Sequence, residues 1–304
     1  MATDNIIQFP NANSPLLAGS EVTYVLPLNY RHHNHVFEFL AKLISDNSDI
    51  TDIANIVDTL EFFINGRSVR APLTVAQYRY LQNTYEKNNY AGNRPNTLIV
   101  NWREWQKDMQ ADQDEFSVAT GGVVLFVVKV KFKAGITAID DKNCFIVCDD
   151  GITFDATTKQ PVKMNLSGIR HFEKFTVQNS TATTFTYRSF DMSAGAIKRI
   201  TLEDGGKIDR VRVIVNKVPR WDLTREKMRG LVLDLMGLDA GDASVDTRFM
   251  LPFDYLNRGV SGLGMVNADG SAITFELEIT TNATGGFDGV FERYAVPGFT
   301  SVGA

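Results

Sequence analysis

The stretch that decides the predicted fold reads VDTLEFFINGRSVRAPLT and covers residues 57–74. Its first half alternates apolar and polar residues, which is typical of a β-strand buried on one face. Asn65-Gly66 then supplies a dipeptide that strongly predicts a hairpin turn. Thr74, with Gln77 three residues later, is typical of a helix-capping box, so we predict a helix over residues 73–87. The stretch therefore predicts a strand, a turn and a helix in close succession.

The same order of features occurs again later in the chain. Residues 208–224 read IDRVRVIVNKVPRWDLT and lead into a second predicted helix, 223–236, with apolar residues at helical spacing: Met228, Leu231, Val232 and Leu235. The two predicted helices start 150 residues apart. Further segments match at nearly the same offset: 60–64 with 211–215, 98–102 with 249–253, and 123–132 with 273–282. This agreement of pattern and order predicts an internal duplication.

Length and composition limit the class of protein. A chain of 304 residues usually has two domains. With 44% hydrophobic and 22% charged residues it is globular, and a net charge of −5 makes nucleic acid an unfavourable partner. Antiparallel strand-rich units of this size form sandwiches, barrels or jelly rolls. We predict an all-β fold of two tandem jelly rolls, residues 18–160 and 161–304, each with one short inserted helix, after a flexible amino-terminal arm, residues 1–17.

The two cysteines and the amino terminus bear on where the chain is made. Cys144 and Cys148 would lie about 13 Å apart in one strand, too far for a disulfide, so we expect both to be reduced. Residues 1–15 contain no Lys or Arg and no apolar core, and the longest apolar run, 123–128, has six residues. We therefore expect neither a signal peptide nor a membrane-spanning helix, and a soluble protein made inside a cell.

Histidine is the first candidate for site chemistry. Residues 31–35 read RHHNH and hold three of the four histidines. Clustered imidazoles can bind zinc or nickel, but no Cys or carboxylate is adjacent, and neighbouring side chains of an extended chain point apart. We predict a solvated loop between two strands. His171 has no recognisable Ser and Asp partners, so the chain offers no hydrolase triad and we predict no catalytic residues.

Acidic and glycine-rich segments are the next candidates. Asp239, Asp242 and Asp246 lie in a loop after the second helix, where a structural calcium ion is conceivable, although the EF-hand spacing is absent and a solvated loop is favoured. Residues 149–151 and 203–206 are predicted turns. The glycines of residues 259–264 are not followed by the Lys of a phosphate loop. We therefore predict no cofactor-binding or metal-binding residues.

Aromatic and basic residues alternate in the segment that follows the strand at 98–102. Arg103, Trp105 and Lys107 could stack on single-stranded nucleic acid, but neighbouring acidic residues oppose that role. Trp and Arg are enriched at protein interfaces, so we predict that the long loops at residues 103–120 and 237–246 lie at subunit interfaces.

The order of these features resembles a known family. Residues 60–70 with the helix after them, the strand at 123–135, and the strand at 275–279 with the closing Gly298-Phe299 are similar to parts of double jelly-roll major capsid proteins. The closest likeness is to membrane-containing icosahedral bacteriophages of the corticovirus type and to the lipid-containing Flavobacterium phage. Most of the chain is covered in order. The main differences are insertions at 103–120 and 257–270, where loops tolerate them.

The resemblance implies a major capsid protein, not an enzyme. It would self-assemble as pseudo-hexagonal homotrimers into the icosahedral shell of a bacteriophage with an internal membrane. The implied partners are other copies of the chain, penton or vertex and minor capsid proteins, and the membrane beneath the shell, with no direct contact to nucleic acid. The implied location is the virion capsid, after synthesis in the bacterial cytoplasm.

One alternative of another class stays open at this point. A two-domain β-sandwich that binds carbohydrate, as a spike or lectin-like protein, could use Trp102 and Trp105 as sugar platforms. The sequence leaves open the host, the triangulation number, the outward-facing loops, the vertex partners and whether calcium is bound.

Overall fold

The computed structural model describes residues 5–8, 18–86, 95–103, 117–137, 144–164, 169–178, 183–190, 196–236, 246–256 and 273–294. The chain divides into two compact units, residues 1–170 with 300–304, and residues 171–299. None of the helices in these described parts is long and apolar enough to cross a membrane.

In its described residues the first unit is built from strands, one 3-10 turn (Ile53–Asn55) and one helix, α1 (Val75–Glu86). Its strands are β1 (Asn5–Gln8), β2 (Glu21–Val25), β3 (Arg31–Glu38), β4 (Val57–Ile64), β5 (Arg67–Leu73), β6 (Thr97–Asn101), β7 (Val118–Ala119), β8 (Phe126–Phe132), β9 (Phe145–Asp149), β10 (Ile152–Phe154) and β11 (Pro161–Lys163). In one sheet the hydrogen-bonded order is β1-β9-β3-β6, with β7 also paired to β3. On the other side of the core β2, β8, β4 and β5 are hydrogen-bonded in that order, and β10 pairs with β11.

The second unit repeats this plan. Its elements are β12 (Arg170–Val177), β13 (Thr184–Tyr187), β14 (Ile197–Glu203), β15 (Ile208–Val215), β16 (Val218–Thr224), α2 (Arg225–Met236), β17 (Phe249–Pro252), α3 (Phe253–Leu256), β18 (Phe275–Thr281) and β19 (Phe287–Tyr294). The hydrogen-bonded orders are β12-β19-β14-β17 and β13-β18-β15-β16. If the eight main strands of each unit are counted from one, both units have the orders 1-8-3-6 and 2-7-4-5. Two such sheets make a jelly roll, so the predicted all-β fold of two tandem jelly rolls is confirmed.

The hairpin between the fourth and fifth strands is repeated in detail. Asn65 and Gly66 have φ angles of 49° and 79°, and Asn216 and Lys217 have 52° and 65°. Two successive positive φ angles are the mark of the type I′ turn, which matches the twist of the strands. In each turn the Asn side chain also accepts a hydrogen bond from the backbone just before the seventh strand, from Val124 at 2.9 Å in the first roll and from Thr274 at 3.0 Å in the second.

Both helices lie within two residues of their predicted starts. At the start of α1 the backbone N–H of Gln77 donates to Thr74 Oγ1 at 3.2 Å, and the N–H of Thr74 donates to Gln77 Oε1 at 3.0 Å. This is the reciprocal capping box predicted from the sequence. At α2 only the first half is present, from the N–H of Lys227 to Thr224 Oγ1 at 3.3 Å.

The core of each roll lies between its two sheets. Alternate residues of the matched fourth strands point inward and are buried: Leu60, Phe62 and Ile64 in β4, and Val211, Val213 and Val215 in β15. Cys144 and Cys148 are buried and are not joined by a disulfide, as expected.

The amino-terminal segment differs from the prediction in part. Residues 5–8, expected in a flexible arm, form β1, which pairs with β9 from Asn5 opposite Cys148 to Gln8 opposite Phe145. The ladder satisfies backbone groups that a free arm would leave to water. The other residues of 1–17 lie outside the described ones, and the predicted division at 18–160 and 161–304 stays a prediction.

Candidate functional site in the polar core of the first roll

The histidine cluster lies inside the first roll. The prediction of a solvated loop at residues 31–35 was wrong, because these residues belong to β3, where His32, His33 and His35 are fully buried. β3 is a central strand that pairs with β9 on one side and with β6 and β7 on the other. Its partner strands come from distant parts of the sequence, so no local sequence pattern predicts that β3 is buried.

A β-bulge decides which histidines face each other. In the pairing with β9 the register shifts between His32 and Asn34. An extra residue in one strand reverses the alternation of faces, so His32 and His35, three residues apart, come to the same side. Nδ1 of His32 lies 2.9 Å from Nε2 of His35. In a regular strand their side chains would point to opposite faces.

The inner pair, His32 and His35, is surrounded by aromatic rings. His35 stacks on Phe62 at a centroid distance of 5.3 Å and an interplanar angle of 15°, and the Phe126 ring lies against both imidazoles. Trp102 Nε1 donates a hydrogen bond to His35 Nδ1 at 3.0 Å. His32 Nε2 lies 2.9 Å from the carbonyl oxygen of Pro27. Both rings are therefore held at each of their nitrogens.

Burial lowers the pKa of both imidazoles of the inner pair. The pKa of His32 falls from 6.5 to about 4, mainly by desolvation and also by repulsion from His33, although the Pro27 carbonyl opposes the shift. The pKa of His35 falls well below 6.5 because of desolvation and repulsion from His32 and Arg70. The inner pair is thus neutral at pH 7.

Trp102 belongs to the core and not to the surface. It is fully buried, and the Arg70 guanidinium lies 3.7 Å from the centroid of its ring. Arg70 Nη2 donates to the carbonyl oxygen of Asn101 at 2.6 Å. The role of Trp102 as a sugar platform in the alternative prediction is therefore wrong, and Trp105 lies outside the described residues.

A second polar cluster, the outer cluster, lies on the opposite face of β3 and contains Arg31, His33, Arg103, Ser117 and Asp149. Arg31 Nε donates to Asp149 Oδ2 at 2.8 Å, and His33 Nε2 lies 3.3 Å from the same oxygen. His33 Nδ1 lies 3.0 Å from Ser117 Oγ, and His33 Nε2 lies 3.0 Å from Arg103 Nη2. Burial alone would raise the pKa of Asp149, but the hydrogen bonds from His33 and Arg31 outweigh it and hold that pKa well below its usual range. Asp149 Oδ1 also closes the predicted turn at Gly151, at 2.9 Å.

The third strand of the second roll carries charges instead of histidines. β14 has a bulge opposite β19, between Ile197 and Arg199. Arg199 Nε and Nη2 donate to Asp254 Oδ2 at 2.9 and 2.6 Å. The Glu292 carboxylate forms ion pairs with both cations of this strand, since Lys198 Nζ and Arg199 Nη1 each lie 3.7 Å from it. The side chains of Lys198, Arg199 and Glu292 are almost completely buried, so they need each other to offset desolvation.

Few of the remaining candidates can be placed. In the described segments no group of three or more His, Cys, Asp or Glu side chains could hold a metal ion. Asp246 is exposed and lies 3.4 Å from Arg229. His171 is half-buried and lies 3.4 Å from the carboxylate of Glu173. The other candidates fall outside the described residues: Asp239, Asp242, residues 259–264 and Lys107. The prediction of a solvated loop in place of a structural calcium site therefore stays a prediction.

One hairpin of the first unit is exposed on both faces. All residues of β10 and β11 are exposed, among them Ile152 at 42%, Phe154 at 67% and Val162 at 45%. The base is anchored, since the N–H of Gly121 donates to the carbonyl oxygen of Met164 at 3.0 Å. A Cβ on Gly121 would lie 2.3 Å from that oxygen, so only glycine fits. This hairpin was not predicted from the sequence, although the apolar and polar residues of β10 alternate in Ile-Thr-Phe.

Comparisons with known proteins agree with this architecture. Residues 169–297 match the family model described as viral coat protein P2 C-terminal domain. The major capsid protein P2 from bacteriophage PM2 has a TM-score of 0.71 at 12% identity, over 97% of this chain and 98% of that chain. The structure from Sulfolobus turreted icosahedral virus has a TM-score of 0.61 at 9% identity, over 98% of this chain and 91% of that chain. The PBCV-1 virus capsid gives 0.58 at 10% identity, over 97% and 94%. The comparison with curated proteins found no match.

The chain has the double jelly-roll fold of these capsid proteins, and a coat-protein family model matches its second roll. The second roll is similar to a viral coat-protein C-terminal domain, and both rolls together have the fold seen in the capsids of bacteriophage PM2, Sulfolobus turreted icosahedral virus and PBCV-1. The resemblance to double jelly-roll capsid proteins stated from the sequence is confirmed. The proteins matched are structural capsid proteins and not enzymes, as predicted.

Proposed function

We propose that this chain is the major capsid protein of a bacteriophage with an internal membrane, and that it forms the icosahedral shell as pseudo-hexagonal homotrimers. The duplicated roll carries the proposal. Two rolls of equal strand order give one subunit two similar sets of surface loops and edges. Three subunits around a threefold axis then offer six similar sides, while the trimer keeps closed cyclic symmetry.

The proposal also covers partners and location. Other copies of the chain, vertex and minor capsid proteins and the viral membrane would contact it in the virion, after synthesis in the bacterial cytoplasm. The net charge of −5 supports contacts with protein more than with the genome. The rolls would span residues 18–160 and 161–304.

Exposed apolar side chains support self-association. Ile152 and Phe154 lie on one face of the β10–β11 hairpin, since they are two residues apart in a strand. A two-stranded hairpin is only marginally stable alone in water, and aromatic side chains are favoured at protein interfaces. We therefore assign this hairpin to a contact between copies of the chain. Arg103 and residues 117–120 are buried within the first unit, which removes them from the predicted interface loop.

Electron microscopy and ultracentrifugation of the purified full chain test the proposal. We expect shells or hexagonal tiles, and trimers when the shells are opened gently. Phe154→Ser should lower the fraction of assembled protein at least several-fold without changing the thermal unfolding of the unassembled chain. Thr153→Ser, on the other face of the same strand, is the matched control and should assemble normally. A chain that stays monomeric at every concentration contradicts the proposal.

A further inference from the structure

In the hydrogen bonds of the inner histidine pair, the donor and the acceptor of each bond can be assigned. An indole nitrogen can only donate, so Trp102 Nε1 donates to His35 Nδ1, which carries no proton. A neutral His35 then has its proton on Nε2 and donates to His32 Nδ1 at 2.9 Å. The proton of His32 is consequently on Nε2, where it reaches the carbonyl oxygen of Pro27. In the neutral state every ring nitrogen of the chain of hydrogen bonds is satisfied.

A single additional proton cannot be accommodated without losing a hydrogen bond. On His35 Nδ1 it would face the Trp102 N–H across 3.0 Å, and on His32 Nδ1 it would face the His35 N–H across 2.9 Å. Two donors would then point at each other in a core where the pair meets the rings of Phe62 and Phe126.

The charged groups around the pair do not favour a further positive charge. From β5 the group that faces it is the Arg70 guanidinium, which lies over Trp102 and is itself a cation. His33 of the same strand points to the other face, toward Asp149 from β9, and Arg103 and Ser117. The Asp149 carboxylate is therefore bound to the outer cluster and not to the inner pair.

We propose that Trp102, His35, His32 and the Pro27 carbonyl form a single-proton lock, which holds β3 in the core of the first roll while both imidazoles are neutral and opens on acidification. The second roll contains no equivalent. Its only histidine is the half-buried His171, and its bulged strand β14 is held by Arg199 and Lys198 with carboxylates. Acid should therefore loosen the first roll before the second. This device is independent of how the chain assembles.

The sign of the pH effect follows from linkage. The unfolded chain binds a proton at each histidine near pH 6.5, whereas the folded chain does not. The stability due to the lock is complete above pH 6.5 and falls as the pH drops. Each of the two histidines should lower the ratio of folded to unfolded chain by up to about tenfold per pH unit.

The test is the slope of the denaturant midpoint against pH, between pH 7 and 4.5, for the full chain. The double variant His32→Gln/His35→Gln should have a much flatter slope than the wild type, whatever its midpoint at pH 7. His171→Gln, which leaves the lock intact, should keep the wild-type slope. A double variant with the wild-type slope would overturn the proposal.

A measurement on the wild type decides the matter even if the double variant does not fold. Nitrogen-15 NMR of the histidine side chains at pH 7 should show His32 and His35 both as the neutral form with the proton on Nε2. Neither should titrate with an ordinary midpoint near pH 6.5. A proton on Nδ1 of either ring, or an ordinary titration, would refute the lock.

Discussion

The third strand of each roll, β3 in the first and β14 in the second, lies between the same neighbours in strand order and carries a bulge against the eighth strand. In β3 the buried His32 and His35 are neutral and form a chain of hydrogen bonds with a single donor-to-acceptor direction. In β14 the buried Lys198 and Arg199 keep their charge and require carboxylates from elsewhere in the roll. The same backbone irregularity thus supports two chemically different polar cores.

This difference shows how one fold can be stabilised in two ways. Neutral imidazoles avoid most of the cost of burying charge, but the stability that they provide depends on pH. Buried ion pairs keep their charge at neutral and mildly acidic pH, but the loss of one partner leaves an uncompensated charge in the core. The two rolls should consequently respond differently to substitution and to acid.

Removal of the shared carboxylate in the second roll should have the largest effect. Glu292→Gln removes the carboxylate charge that Lys198 and Arg199 share as an ion-pair partner, and we expect a loss of about 3–5 kcal/mol in the free energy of unfolding. Chemical denaturation at pH 7 measures it. Glu278→Gln, which removes the partly exposed partner of Arg212 at 2.8 Å, should cost less than about 1 kcal/mol. Equal losses in both variants would show that burial does not distinguish the two pairs.

Removal of the Asp149 carboxylate from the outer cluster of the first roll should have the second-largest effect on stability. Asp149→Asn removes charge-assisted hydrogen bonds to Arg31 and His33, for which we expect a loss of about 2–3 kcal/mol at pH 7. Because the folded pKa of Asp149 is depressed, the wild type should lose this stability only as the pH falls below about 4, the ordinary range of an Asp. Denaturation of both proteins at pH 7 and pH 3 measures this, and a difference that did not shrink at pH 3 would contradict the assignment.

Trp102→Phe changes the chain of hydrogen bonds that links Trp102, His35 and His32, and its effect on stability should be smaller. It keeps an aromatic ring but removes the N–H that occupies His35 Nδ1, and we expect a loss of about 1–2 kcal/mol at pH 7. Nδ1 becomes free to take a proton, so the loss should be smaller at pH 5 than at pH 7. Thermal unfolding at both pH values measures it, and a loss independent of pH would indicate a packing effect alone.

The helix caps should give the smallest difference between the rolls. Thr74→Ala breaks a reciprocal capping box and should cost about 1 kcal/mol, whereas Thr224→Ala breaks one long hydrogen bond of 3.3 Å and should cost less. Matched denaturation curves measure both. A larger cost at Thr224 would mean that the two helices are not held in equivalent ways.

Much of the fold could be predicted because its signals are local. The alternation in residues 57–64, the Asn-Gly turn and the Thr74–Gln77 box each act within a few residues, and their return at 208–224 indicated the duplication. The exposed β10–β11 hairpin was missed, since three-residue strands carry too short a pattern. The role expected for Trp102 was wrong because Trp occurs both on sugar-binding surfaces and in hydrophobic cores, so the residue type alone does not distinguish the two locations.

The sequence by itself determined the strand-rich class, the repeated strand, turn and helix, and the absence of a recognisable catalytic motif, because these depend on backbone propensity and periodicity along the chain. Only the tertiary structure decided that residues 31–35 are buried and that His32 meets His35. Burial there depends on β6, β7 and β9, which lie more than 60 residues away in the chain. The shared face depends on a bulge that no residue type in RHHNH requires.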